Sequence, residues 1–158
     1  MKAAIILGSQ SDKAVMKKAA DVLRDFGVAF CSRVVSAHRS PELLEKTINE
    51  IEQNGTEVII AGAGLAAHLP GVIASKTLIP VIGVPIASGA LNGVDALFSI
   101  VQMPKSVPVA TVGVDNAANA AYLSAEILGI KYPELRKKLE LERRKTKEDL
   151  AKDSPLDF

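Results

Sequence analysis

The sequence predicts an α/β protein in three layers, a doubly wound, five-stranded parallel sheet with helices on both faces and a helical tail at the C-terminus. Three observations carry this. Apolar runs and helical patterns alternate five times along the chain. The first apolar run, Ala3 to Leu7, is continuous rather than alternating, as a strand buried on both faces is. Aromatic residues make up only 4% of the sequence and Trp is absent, so the core is left to Ala, Val, Ile and Leu.

Ala3 to Leu7 is the first apolar run, closed by Gly8. Ser11-Asp12 opens a helix whose apolar positions Val15, Ala19, Val22, Leu23 and Phe26 recur at helical spacing, with Gly27 as its stop. Val28 to Val35 reads as the second strand. Ser40-Pro41-Glu42 starts the next helix, with Pro in the first turn where a missing N–H does no harm. Leu44, Thr47, Ile48 and Ile51 form its buried face, and Gly55 ends it. Glu57 to Ala61 is the third strand, followed by a helical stretch from about Ala66 to Lys76. Pro80 to Ile86 is the fourth strand, Gly93 to Met103 a helix and Val109 to Val114 the fifth strand. An Ala-rich helix runs from Asn116 to Leu128 and stops at Gly129.

From Pro133 the character changes. Seven Lys/Arg and two Glu lie between Arg136 and Lys147, while apolar positions such as Leu135, Leu139 and Leu150 are sparse. The division expected is a catalytic domain over 1–132 and a helical tail over 133–158. The tail reads as a solvated helix on the domain edge, or as an arm that packs on a neighbour.

A net charge of +1 and the lack of interleaved aromatic and basic residues argue against a nucleic-acid partner. The single Cys31 excludes an internal disulfide and an all-cysteine metal site. The first apolar run stops too soon for a signal peptide, and Gly, Pro and polar residues break every longer one, so no membrane span is expected. A cytoplasmic protein is the expectation.

Ligands of a doubly wound sheet sit beyond the carboxyl ends of its strands, and three such ends carry chemistry. Gly8-Ser9-Gln10-Ser11-Asp12 is a turn into a helix, able to offer backbone N–H groups and the Ser9 and Ser11 hydroxyls to an anion. The same residues would serve equally as a helix cap. Ser36-Ala37-His38-Arg39 joins the second strand to its helix. There His38 can exchange a proton near neutral pH and Arg39 can grip a carboxylate or phosphate. Ala61 to Pro70 follows the third strand. Its small residues, Ala63 and Gly64 among them, let a ligand lie against backbone, and His68 is flanked by the apolar Ala66, Ala67 and Leu69, a surround that would favour the neutral ring. Each histidine alone could be a bonded structural residue. Both fall after strands on the ligand-binding rim, beside the serine turn, and this conjunction points to an active site.

GSQSD, SAHRSP, AGAGLAAHLPG, PVIGVPI and GVDALFSIVQMP, in this order, resemble the N5-carboxyaminoimidazole ribonucleotide mutases of purine biosynthesis from about Ala3 to Gly129. SAHR and AAHLPG resemble the mutases rather than the related carboxylases that take aminoimidazole ribonucleotide and free carbon dioxide. The resemblance implies a flavodoxin-like fold, a homo-octamer with sites at subunit contacts, a ribonucleotide substrate, and no cofactor or metal. It implies His38 as the central acid/base and His68 as a second catalytic histidine. Ser9 and Arg39 would take the phosphate and Asp12 a ribose hydroxyl, with Ser11, Ser36, Ala63, Gly64 and Leu69 completing the substrate site. Two positions depart from the pattern: Leu65 stands where Gly is usual and Ser40 where Thr is. An inactive nucleotide-binding homologue and a flavin-binding protein of the same fold are the other readings.

Overall fold

The structure, a computed structural model, describes residues 1–152. The chain runs β1 (Lys2–Leu7), a 3₁₀ turn (Gln10–Asp12), α1 (Lys13–Asp25), β2 (Ala29–Val34), α2 (Pro41–Gln53), β3 (Val58–Gly64), α3 (Leu69–Ala74), β4 (Val81–Ile86), α4 (Val94–Val101), β5 (Ala110–Thr111), α5 (Ala117–Gly129) and α6 (Pro133–Leu150). The sheet has the order β2-β1-β3-β4-β5 and every pairing is parallel. This is the flavodoxin-like order, with its reversal between β1 and β3.

Strand residues alternate between two cores. Ile5, Leu7, Val58, Ile60, Ile82 and Val84 face α1, α5 and α6, where Leu23, Ala121, Ala125 and Leu128 meet them. Ala4, Ile6, Ile59 and Ala61 face the other side, against Leu44, Ile48 and Ile51 of α2, Ile73 of α3 and Ile100 of α4. The Ala-rich face of α5 lets α1 and the sheet approach closely. In α6, Leu135 and Leu139 are buried in the first core while the charged positions face outward. The part of the tail beyond residue 152 lies outside the described residues.

Three elements differ from the sequence expectation. β3 runs to Gly64 rather than Ala61, because β1 and β4 flank it: Leu7 pairs with Gly62, and Ala63 and Gly64 pair with Pro85 and Ile86. The absence of a side chain at Gly62 makes room for Met16, whose thioether a Cβ there would displace. α3 begins at Leu69, immediately before Pro70, rather than at Ala66. Pro70 has no N–H to bond a preceding turn, so Leu65 and Ala66 form a bend instead. β5 is reduced to two residues, between Pro108 and a segment that turns at Val114 and at Asp115, the latter with φ +57°.

The start of β3 is tied to the α5–α6 corner. Glu57 accepts hydrogen bonds from Lys131 Nζ at 2.6 Å and Tyr132 Oη at 3.0 Å, with the N-terminal ammonium 3.6 Å away. The Lys131 ammonium holds the Glu57 carboxyl below the usual carboxylate range, assisted by the Tyr132 hydroxyl and opposed by partial burial. A carboxylate held down in this way stabilises the fold at neutral pH and loses that contribution as pH falls through its folded value. Glu57→Gln should therefore lower urea-unfolding stability by about 1 kcal/mol at neutral pH, with the gap closing in acid below the usual carboxylate range.

Candidate active site

Three strand ends converge on one cleft of about 440 Å³, within the range of small-ligand sites. Ser9, Ser11 and Asp12 line it from the β1 end, Ser36, His38 and Arg39 from the β2 end, and Ala63, Gly64, His68 and Leu69 from the β3 end. All ten residues singled out in the sequence thus share one cavity. It straddles the point where strand order reverses.

The β1 end is built by a capping box. Ser9 N–H donates to Asp12 Oδ2 at 3.1 Å, and Ser11 N–H reaches Ser9 Oγ at 3.4 Å. Asp12 N–H bonds the Ser9 carbonyl at 3.2 Å. The free backbone donors expected at this turn are therefore mostly used internally, and donors toward a ligand must come from side chains. The Ser11 hydroxyl lies 3.0 Å from Ser9 Oγ and 3.1 Å from Asp12 Oδ1. Asp12 is only 7% exposed, and that burial pushes its carboxyl above the ordinary value against the opposing bonds from Ser11 and Ser9.

The β2 end is a turn, closed by Ser40 N–H on the Ser36 carbonyl at 3.0 Å. Ser36 Oγ accepts from Arg39 N–H at 3.2 Å and from Arg39 Nε at 3.3 Å, and an Arg39 terminal nitrogen reaches the Gly8 carbonyl at 3.4 Å. The guanidinium is oriented by neutral oxygens alone. No carboxylate pairs with it among the described residues. A guanidinium fixed in a cleft without an ion-pair partner is suited to take an anion.

The histidines meet across the cleft. His38 Nε2 lies 2.6 Å from His68 Nδ1, and the rings stand edge to face at 80° with centroids 4.7 Å apart. The apolar sequence around His68 does not enclose it. Ala67 and Leu69 turn inward while His68 and Ala66 remain exposed, because the bend before Pro70 points the histidine outward. Among the described residues, no group of three or more His, Cys, Asp or Glu is placed to hold a metal ion.

Leu65 adopts φ +56°, a left-handed conformation that favours glycine. It is also 51% exposed and lines the cleft. A Cβ built on Gly89 would lie 2.8 Å from Leu65 Cδ2, so the leucine leans over the β4–α4 loop at the cleft rim. Sequence reasoning did not select Ser88, which lines the same cleft two residues beyond β4. Its position past a fourth strand end was the available signal.

Fold and cleft together define a small α/β enzyme that takes its ligand at the switch point of a doubly wound sheet. The chain belongs to the AIR carboxylase family, whose sequence profile matches residues 2–149. It is 60% identical over 151 residues to the N5-carboxyaminoimidazole ribonucleotide mutase of Pyrococcus abyssi, covering 96% of this chain and 84% of that protein. It is 53% identical over 140 residues to the enzyme of the same name in Escherichia coli, covering 87% and 83%. The crystal structure of Treponema denticola PurE superposes with a TM-score of 0.89 at 26% identity, covering 96% of this chain and 95% of that one.

Leu65→Gly removes the strain of the left-handed backbone, which costs about 1–2 kcal/mol, but gives up the contact over Gly89 and adds freedom to the unfolded chain. Its unfolding midpoint should stay close to that of the parent. Leu65→Val, β-branched at positive φ, should fall below Leu65→Gly by about 1–2 kcal/mol in urea unfolding.

Proposed function

We propose that this protein is an N5-carboxyaminoimidazole ribonucleotide mutase, an isomerase that moves the carboxyl group from the exocyclic nitrogen to C4 of the imidazole in purine biosynthesis. The observation that carries this reading is the pair of bonded histidines beside an uncompensated guanidinium, in one cleft of a chain whose relatives bear that name. No described helix is long and apolar enough to cross a membrane. A metabolic role of this kind fits the cytoplasm.

The roles that the family resemblance implies fit this geometry. Arg39, with the Ser9 and Ser11 hydroxyls, takes the phosphate, and its tether to Ser36 and Gly8 holds the guanidinium ready before the ligand arrives. Asp12, whose oxygens keep free lone pairs beside the capping bonds, accepts from a ribose hydroxyl. This remote binding sets the imidazole over Ala63 and Gly64, so that binding energy is spent on orientation. The carbamate C–N bond then breaks with its electron pair remaining on nitrogen, and carbon dioxide is held in the cleft. C4 attacks that carbon dioxide, and the C4 proton is lost as one is returned to nitrogen. His38 is the acid and base for both transfers, an effect worth typically about 10²–10⁴-fold.

Retaining carbon dioxide demands a cover, yet Leu65, Ala66, His68, His38 and Arg39 are all open to solvent in the single chain. A second copy is the occupant that supplies one. Leu91, Val94, Phe98 and Val101 form an exposed apolar stripe at helical spacing on α4 and the loop before it, with Phe98 at 55% exposure. That loop also carries Ser88 into the cleft. The assembly proposed is the homo-octamer of the family resemblance, with sites at subunit contacts.

His38→Asn should bind the ribonucleotide with near-parental affinity while turnover of the carbamate substrate falls by about 10²–10⁴-fold. Near-normal turnover would remove His38 from its role. Preference for aminoimidazole ribonucleotide plus carbon dioxide over the carbamate, in the parent enzyme, would instead mark it as a carboxylase. In light-scattering chromatography the parent should run as a homo-oligomer, and Phe98→Lys as a smaller species with unchanged far-UV circular dichroism. A monomeric parent would overturn the assembly.

A further inference from the structure

The mutase reading leaves open which nitrogen of His38 meets the substrate and what the second histidine contributes. His38 stands in the turn after β2, and His68 in the N-cap position of α3, after β3. Because β1 lies between those strands, the two rings reach toward each other over the end of β1. Their contact at 2.6 Å joins Nε2 of His38 to Nδ1 of His68. A nitrogen pair this close needs one hydrogen between them: two lone pairs would repel, and so would two N–H groups.

That single hydrogen couples the two rings. In the neutral pair, an N–H at His38 Nε2 leaves His38 Nδ1 with its lone pair, and His68 then carries its hydrogen on Nε2. With the shared hydrogen on His68 instead, His38 Nδ1 bears the N–H. Neither His38 Nδ1 nor His68 Nε2 has a hydrogen-bond partner among the described residues, whereas the inner two nitrogens are committed to each other. A ring bonded by its neighbour at one nitrogen has its tautomer and its orientation set at the other.

We propose, on the mutase reading, that His68 is a positioning residue acting through His38: it holds Nε2, so that Nδ1 is the nitrogen of His38 that exchanges protons with the substrate. The edge-to-face stance of the rings is then the means by which the cleft aims Nδ1 at the imidazole. His68 itself need not touch a reacting atom.

The bond and its catalytic effect are tested separately. In protein labelled with ¹⁵N in its histidines, a scalar coupling between His38 Nε2 and His68 Nδ1 across the shared hydrogen is expected in solution, without any ligand. No measurable coupling, or ring shifts reporting Nδ1 of His38 as the bonded nitrogen, would overturn the proposal whatever the activity. In steady-state assays with N5-carboxyaminoimidazole ribonucleotide, His68→Asn places an amide where Nδ1 stood and should keep kcat within about tenfold of the parent. His68→Gln and His68→Ala, which place no such group there, should lose on the order of 10²-fold in kcat with KM little changed, as expected of a base left with an unfixed tautomer. Equal damage from Asn and Gln, or a rise in KM with kcat intact, would assign His68 to substrate binding and reject the positioning role. A parent enzyme that fails to turn over the carbamate would count against the mutase reading alone, and the NMR coupling would still decide the bond.

Discussion

Everything at the cleft depends on the reversal of strand order about β1. The crossover from β1 to β2 lays α1 on one face of the sheet, and the crossover from β2 over β1 to β3 lays α2 on the other. The connections leaving β1 and β3 therefore part company, and a gap opens above their carboxyl ends. The parallel register fixes what faces that gap. Leu7 pairs with both Val34 and Gly62, so the three chains leave the sheet at nearly the same level. Ser9, His38 and His68 come from separate stretches of sequence, yet they are neighbours because of that level register. No side-chain interaction is needed to gather them, and the side-chain bonds only refine their orientation.

That refinement is local at each strand end. The capping box orders the serine turn before any ligand is present, and Ser36 together with the Gly8 carbonyl orders the guanidinium. These groups are held by neutral or internally matched partners, which leaves the Arg39 guanidinium without an ion-pair partner among the described residues. Leu65 departs from this economy. It places an apolar side chain in solvent on a backbone conformation that disfavours it. Strain retained at the rim of a site is the pattern expected where function, rather than stability, fixes the residue.

The architecture was legible because apolar runs and helical periodicity alternate from Ala3 to Leu128. All ten candidate residues line one cleft because a doubly wound sheet has one ligand-binding rim, so each cluster after a strand was already confined to it. What the sequence hid was set by pairing and by proline. Ala63 and Gly64 looked like loop residues, since small residues carry no strand signal, but partners on both sides drew them into β3. The helix expected from Ala66 lost its first turn to the missing N–H of Pro70, and this turned His68 outward toward His38. The bond between the rings has no local signature at all, since thirty positions separate them. The left-handed backbone at Leu65 was foreshadowed only by the glycine usual at that place in the resembling family.

The sheet's two margins also bear on how copies of the chain meet. An open strand edge is a template for unwanted pairing between molecules. Here one margin, β5, is two residues long and follows Pro108, so it offers almost no ladder to extend. The other, β2, is longer but carries Arg33 exposed at its end. With both borders blunted in this way, association is steered away from strand addition, which can propagate without limit, and toward contacts between helical faces, where symmetry can bring growth to a stop.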